Sequence, residues 1–289
     1  MKNLLRNVAL FFLAIIIAVS VLYNFTIAQI DSELKSRNYE GVYDNCNKIW
    51  ASRGLYNSHE EQNSITSMQN AFSHGAVGVE FDFYYDVASN TFIVSHGRPK
   101  KDSEGNLVYK KKENEILTVE KMLNTVGENH YFWFDYKNLD RLNEQETQKA
   151  IKKLLSITEF DSIRDRIYIE GSNPFILSSY TNAGFKTILG IHPLNDQTLF
   201  SSFVINIYKM GFYFSNISAL AIQYGELNDS AYGPKAQQSL GSIPVFLFHV
   251  PDDDALLNQL IQNQNVRVLL VGRGESINRY DVTNCSANP

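Results

Sequence analysis

The sequence predicts an α/β protein, a closed (β/α)8 barrel behind an N-terminal transmembrane anchor. Three observations carry this. Beyond residue 48, short apolar strands alternate with amphipathic helices, the rhythm of a parallel sheet. Eight such units in one domain match the usual size of a closed barrel, about 250 residues. Ahead of them, an almost uninterrupted apolar run from Val8 to about Ala28 is long enough to cross a bilayer as a helix. An open doubly wound sheet is the rival architecture, but no glycine-rich nucleotide loop follows the first strand.

In chain order, the runs that read as barrel strands fall at 48–54, 78–86, 131–137, 166–171, 186–192, 219–225, 244–250 and 266–272. The apolar spacing places helices between them, over about 60–74, 118–126, 143–157, 174–182, 197–210, 234–240 and 252–262. In the first of these, Ile65, Met68, Ala71 and Phe72 share a face, and Ser58 with Glu61 makes a capping box. An extra strand over 91–96 returns from a polar turn (Ala88, Ser89, Asn90). Residues 98–115 form a charged insertion containing Lys100, Lys101 and the run Lys110, Lys111, Lys112. Such a run is either a solvated loop or a surface for phosphate and anionic head groups.

Lys2 and Arg6 precede the apolar run, and Gln29, Asp31 and Glu33 follow it. A positive flank retained in the cytosol places the remainder outside, periplasmic or extracellular. The alternative is a signal peptide cleaved near Ala28, giving a secreted protein. The run exceeds the usual apolar region of about 7–15 residues in a signal peptide, which favours an anchor. The chain therefore divides into an anchor or signal peptide over 1–28, a polar linker over 29–47 and the barrel domain over 48–289. Of the 289 residues, 44% are hydrophobic, enough for a substantial core, and 12% are aromatic, which excludes a disordered chain. A formal net charge of −5 argues against a general nucleic-acid binder.

The chemistry centres on residues 78–97. In a strand, residues two apart point to one face, so Glu80 and Asp82 aim two carboxylates at one place. Their flanks, Val79, Phe81 and Phe83, are apolar, and buried carboxylates are rare unless paired or metal-bound. Oxygen-only donors favour a hard divalent cation, Ca²⁺ or Mg²⁺. His96 ends the returning strand and can carry a proton near neutral pH. In barrels of this kind the working residues stand at the C-terminal ends of strands. Those positions hold Ser52, Arg53, Asp135, Lys137, Glu170, His192, Gln223, His249 and Arg273. Asp135 would complete a three-carboxylate cation site, and Arg53 and Lys137 could hold a phosphate beside it. His192 and His249 read as structural histidines, and His74 and His130 as helix-end or loop residues.

Taken as a set, these residues resemble the glycerophosphodiester phosphodiesterase family, a branch of the phosphatidylinositol-phospholipase-C-like (TIM) barrels. The family's His-Arg-Gly strand end reads Ser52-Arg53-Gly54 here, and its Glu-Asn-Thr/Ser reads Gln62-Asn63-Ser64. Its Glu-x-Asp and hairpin histidine match Glu80, Asp82 and His96. Its next metal carboxylate, in a Glu-x-Lys strand, matches Asp135-x-Lys137; related sphingomyelinase-D-type phospholipases carry Asp-x-Lys. The resemblance covers residues 49–137; beyond them only the strand–helix rhythm continues it. Three departures stand out. Ser52 replaces the first catalytic histidine, Gln62 replaces a glutamate, and the family's late tryptophan-containing strand reads Phe246-Leu247-Phe248-His249.

The resemblance and the residues together imply a metal-dependent phosphodiester hydrolase for glycerophosphodiesters or related phospholipid head groups. Glu80, Asp82 and Asp135 would hold Ca²⁺ or Mg²⁺, Arg53 and Lys137 would neutralise the phosphate, and His96 would protonate the leaving oxygen. His59, in the loop after the first strand, is the candidate to stand in for the absent histidine. The alternative is a degenerate barrel that binds a phosphodiester or lipid head group without cleaving it. Expected partners are a small-molecule or lipid phosphodiester and the membrane, with no nucleic acid.

Two cysteines, Cys46 and Cys285, flank the barrel in sequence. In a closed barrel the first and last strands are neighbours, and outside the cytosol a disulfide between these cysteines would persist. Closing nearly the whole domain into one loop would stabilise it by up to roughly 5 kcal/mol. Non-reducing mass spectrometry is expected to find one bridge and no alkylatable thiol; two free thiols would refute the pairing.

Overall fold

The computed structural model describes the whole chain except residues 1, 40, 106, 113, 159–162, 195–197, 228, 273–279 and 281–289. Parallel strands β1 (Ile49–Ser52), β2 (Gly78–Asp86), β6 (Tyr131–Tyr136), β7 (Ile167–Gly171), β8 (Lys186–Ile191), β9 (Ala219–Gln223), β12 (Val245–Phe248) and β13 (Val266–Val271) form the sheet. Each strand pairs with the next in that order, and β1 pairs with both β13 and β2, so the sheet closes into an eight-stranded barrel. The remaining strands, β3 (Thr91–Val94), β4 (Lys100–Lys101), β5 (Leu107–Val108), β10 (Gly225–Glu226) and β11 (Asp229–Ser230), belong to hairpins beyond the barrel's C-terminal end.

Helices α2 (Ile65–Ser73), α3 (Val119–Val126), α4 (Glu144–Ile157), α5 (Pro174–Asn182), α6 (Ser201–Phe214), α7 (Pro234–Leu240) and α8 (Asp254–Gln262) pack around the sheet. The expected first helix begins five residues late. Its cap is Ser64, which accepts from the Ser67 backbone and is returned a bond by the Ser67 side chain, so Ser58 and Glu61 do not cap it. Gln62 and Asn63 are diverted into the site below. The sixth helix runs over Ser201–Phe214 rather than 197–210, because its apolar stripe continues through Phe212 to the turn before β9.

Alternation along the strands separates two cores. Residues pointing outward, such as Val79, Phe81 and Phe83, meet the helices in the larger one. Residues pointing inward fill the barrel's lower half with Trp50, Trp133, Tyr168, Ile188, Phe246 and Val268. Tyr43 seals the base edge-on against Trp50 and Tyr131, and its backbone N–H donates to the Tyr168 hydroxyl at 2.6 Å.

The first helix, α1 (Lys2–Ser36), is continuous. It contains the apolar segment long enough to cross a membrane. Residues 29–47, expected as a polar linker, are packed: α1 extends to Ser36 with Ile30 and Leu34 buried, and Val42 and Tyr43 are buried under the barrel. The periodic placing of Ile27, Ile30 and Leu34 one turn apart explains this, since it gives the polar end of the helix one apolar stripe. Cys46 lies just before β1; Cys285 lies outside the described residues.

Gly78 opens β2 directly against the Trp50 indole, where a Cβ would stand 2.4 Å from the ring. Gly78→Ala is expected to cost about 1–3 kcal/mol by overpacking the barrel floor. Urea unfolding measures it, and an unchanged midpoint would contradict the packing.

Candidate active site

Above the aromatic floor the interior turns polar, and the centre is Asp82. Its side chain has no solvent exposure, yet four side chains reach its two oxygens. Arg53 Nε lies 2.9 Å from Oδ2, Asn63 Nδ2 donates to Oδ2 at 2.8 Å, and His96 Nδ1 stands 3.2 Å from it. Lys137 Nζ lies 2.6 Å from Oδ1 and also bonds Asp135. Burial by itself would raise this carboxyl, but the His96 hydrogen bond and the Lys137 and Arg53 charges together hold it well below the usual range.

Local geometry brings these groups in from separate elements. Register pairs Ser52 with Glu80 and Asp82 with Asp135, so three strand ends present their polar residues at one level. Arg53 takes a left-handed backbone (φ 59°), which turns the chain off β1 and aims the guanidinium inward. Gly54 follows at φ 82°, pressed on the Ser67 backbone where a Cβ would come within 2.5 Å, so no other residue fits this turn. Asn63, also left-handed, accepts from the Asp82 backbone N–H at 3.0 Å while its amide bonds the Asp82 carboxylate. His96 arrives because β3 returns antiparallel on β2, with the Ser95 N–H bonded to the Asp82 carbonyl.

Glu80, Asp82 and Asp135 each bring a carboxylate oxygen within 4.8 Å of the others. Burial, then repulsion from Asp82 and Asp135, drives Glu80 well above its ordinary range; burial likewise raises Asp135. Two buried carboxylates and the half-buried Asp135 face two fixed cations, Arg53 and Lys137, so negative charge is left uncompensated. An all-oxygen donor set of this charge fits a hard divalent cation.

The surrounding cleft has a volume of about 470 Å³ and is lined also by Arg98, Arg141, Glu170, His192 and His249. Arg53 and His96 form its border with a second basin of about 680 Å³, walled by Lys100, Val108, Tyr109, Lys110 and Lys112. Ser52 donates to Glu80 at 3.1 Å. His59 does not reach the carboxylates: it bonds Gln62 at 2.5 Å, and Gln62 accepts from Arg53 at 3.2 Å. Gln223 ends β9 away from the cleft lining, and Arg273 lies outside the described residues. His74 caps α2 and His130 stacks on Phe72. The sequence reading had Asn63 only as part of the Gln62-Asn63-Ser64 match and Glu170 only as a strand-end position, and it gave Trp133 no role. An asparagine directly before a helix cap is a further signal for the first, because Asn tolerates left-handed backbone; nothing marked the Trp133–Glu170 bond.

The fold and site together define a (β/α)8 barrel with a carboxylate-rich, cation-flanked mouth. Solved structures of the same fold include glycerophosphodiester phosphodiesterases. One from Thermotoga maritima shares 16% identity at a TM-score of 0.54, covering 77% of this chain and 92% of that one. One from Agrobacterium tumefaciens shares 12% at 0.52 (77% and 95%), and one from Parabacteroides distasonis shares 17% at 0.50 (77% and 91%). No protein-family model and no curated protein sequence matches the chain.

Glu170 gives the site a pH signature. Its Oε2 accepts from Trp133 Nε1 at 2.6 Å, and Gly190 leaves room for the carboxyl, since a Cβ there would lie 2.7 Å from it. Burial, then repulsion from Asp135, pushes Glu170 up to about 8. A raised folded pKa contributes stability below the unfolded value, about 4.3, that is lost as pH rises toward 8. Glu170→Gln keeps the acceptor but does not titrate. Without divalent ions, its stability relative to wild type is expected to improve from pH 5 to pH 8, by about one to a few kcal/mol. Urea unfolding at both pH values checks this; a constant difference would contradict it.

Proposed function

We propose that the chain is a metal-dependent phosphodiester hydrolase acting on glycerophosphodiesters or related phospholipid head groups. The observation that carries this is the convergence of Glu80, Asp82 and Asp135 with Arg53, Lys137 and His96 in one cleft. The shared fold with glycerophosphodiester phosphodiesterases supports it. The three carboxylates would hold Ca²⁺ or Mg²⁺, which when bound supplies positive charge against the phosphoryl oxygens. Arg53 offers a planar fork and Lys137 a point charge to the same phosphate. With Nδ1 turned to Asp82, His96 lines the open cleft. As the imidazolium, with its Nδ1–H held by Asp82, it would give its Nε2 proton to the leaving oxygen and keep the one on Nδ1. The long apolar helix α1 supports a membrane-anchored protein, and Lys2 and Arg6 ahead of its apolar run support a barrel outside the cytosol. A chain cleaved after the apolar segment would instead be secreted.

A panel of glycerophosphodiesters and lysophospholipids, with Ca²⁺ or Mg²⁺ added, tests the reading. Glu80→Gln is expected to abolish metal-dependent turnover, and His96→Ala to lower it about 10²–10⁴-fold. Metal-dependent turnover surviving both substitutions would sink the assignment. His59→Ala should lose as much as His96→Ala if His59 replaces the missing base, and undiminished turnover would remove it from the mechanism.

One observation favours a second reading. Ser52 stands where a catalytic histidine is expected, and its hydroxyl donates to the Glu80 carboxylate. The barrel would then bind a phosphodiester without cleaving it. Calorimetric binding with no product, and activity gained by Ser52→His, would select this reading.

A further inference from the structure

The path of α1 across the barrel fixes which end of the molecule faces a membrane. Tyr23 of α1 packs at a tilt against Phe203 of α6, at 5.5 Å between ring centroids, and accepts from Asn206. Farther along, Asp31 pairs with Lys209 at 2.6 Å, Glu33 bonds Tyr213, and Arg37 bonds Asn216 at 2.6 Å. Residue numbers rise together, so α1 and α6 are parallel. As the helix that follows β8, α6 begins at the C-terminal end of the barrel, where the catalytic residues stand, and runs to the opposite end. The part of α1 before Tyr23 therefore leaves the molecule from the catalytic end. Residues 3–22 are exposed throughout, and twenty helical residues span about 30 Å, the thickness of a bilayer's hydrocarbon core.

A second observation lies on the same end. Twelve large apolar side chains outside α1 are exposed among the described residues. All but Ile207 and Phe214 stand in the loops or first helical turns of the catalytic end. Leu199 is 87% exposed, Phe175 79% and Phe200 63%, and Val108 is exposed on the β4–β5 hairpin. Exposed Arg98, Lys100, Lys101 and Lys111 belong to this hairpin region beside the cleft. Apolar side chains interspersed with cations, on the end from which an apolar helix departs, match the surface of an anionic bilayer.

We propose that the catalytic cleft is held against the bilayer that α1 enters. Its substrate is then a lipid of that bilayer, engaged by its phosphodiester head group, rather than a water-soluble glycerophosphodiester. The chemistry rests on the phosphodiesterase reading above; the orientation rests on α1, α6 and the apolar rim alone.

The full chain, reconstituted in vesicles of phosphatidylcholine and phosphatidylglycerol, tests both parts. Trp50 and Trp133 are buried in the barrel, so a tryptophan placed at the surface reports lipid contact through quenching by brominated acyl chains. Phe200→Trp is expected to be quenched, and Gln264→Trp, exposed at the opposite end, is not. Equal quenching at the two positions, or none at Phe200→Trp, overturns the orientation. For the substrate, Leu199→Asp with Phe200→Asp is expected to lower turnover of a vesicle lysophospholipid by ~10-fold or more while sparing a soluble glycerophosphodiester. Equal effects on the two substrates, or none on the lipid, overturn the lipid assignment. Wild-type protein that hydrolyses neither substrate overturns the phosphodiesterase reading and the lipid assignment with it, while the quenching result upholds or overturns the orientation independently.

Discussion

Asp82 is a carboxylate with no solvent exposure, and the upper half of the barrel is organised by the need to keep it charged. Removing such a group from water costs several kcal/mol even after relaxation, and attraction offsets this only when the remaining lone pairs are satisfied. Arg53 and Asn63 reach it from the loop after β1, His96 from the end of β3, and Lys137 from the end of β6. Three segments separated in sequence are thereby tied to one side chain. The left-handed backbone at Arg53 and Asn63 is tolerated because these bonds over-determine it.

The same network leaves a charge imbalance that has chemical use. With Lys137 and Arg53 engaged by Asp82, the carboxyls of Glu80 and Asp135 are buried with too little positive charge, and both are raised. A bound divalent cation would relieve that repulsion, and Arg53 and Lys137 could share the negative charge of an anion brought beside it. Stability and binding are thus opposed at this end and separated from the other. The base is closed by Tyr43, packed edge to face on Trp50 and Tyr131, which lie tilted against each other.

Helix α1 joins the two ends. It packs down the barrel wall, and the chain then crosses beneath the floor at Val42 and Tyr43 before entering β1. Because Ile27, Ile30 and Leu34 are buried in the barrel's own core region, the apolar segment and the barrel are mechanically continuous. A flexible tether would let the cleft sample any orientation; a packed helix holds one.

The sequence by itself determined the barrel, the residues of its strands and the carboxylate pair on β2. Alternating apolar strands and helices have few closed solutions, and a two-residue spacing in a strand is a geometric fact. It also pointed to Asp135, Lys137, Arg53 and His96, since strand ends are where barrels place polar side chains. What tertiary structure decided was which of these meet. Strand register sets Ser52 against Glu80 and Asp82 against Asp135, and register depends on pairing between segments that no local pattern encodes. The turn that starts α2 at Ile65 recruited Asn63 and withheld His59 from the carboxylates, because the Asp82 carboxylate competes for residues a helix would otherwise claim. The path of α1 was equally hidden. Its apolar residues make a segment long enough to cross a membrane, but only its packing on α6 decides from which end of the barrel that segment leaves.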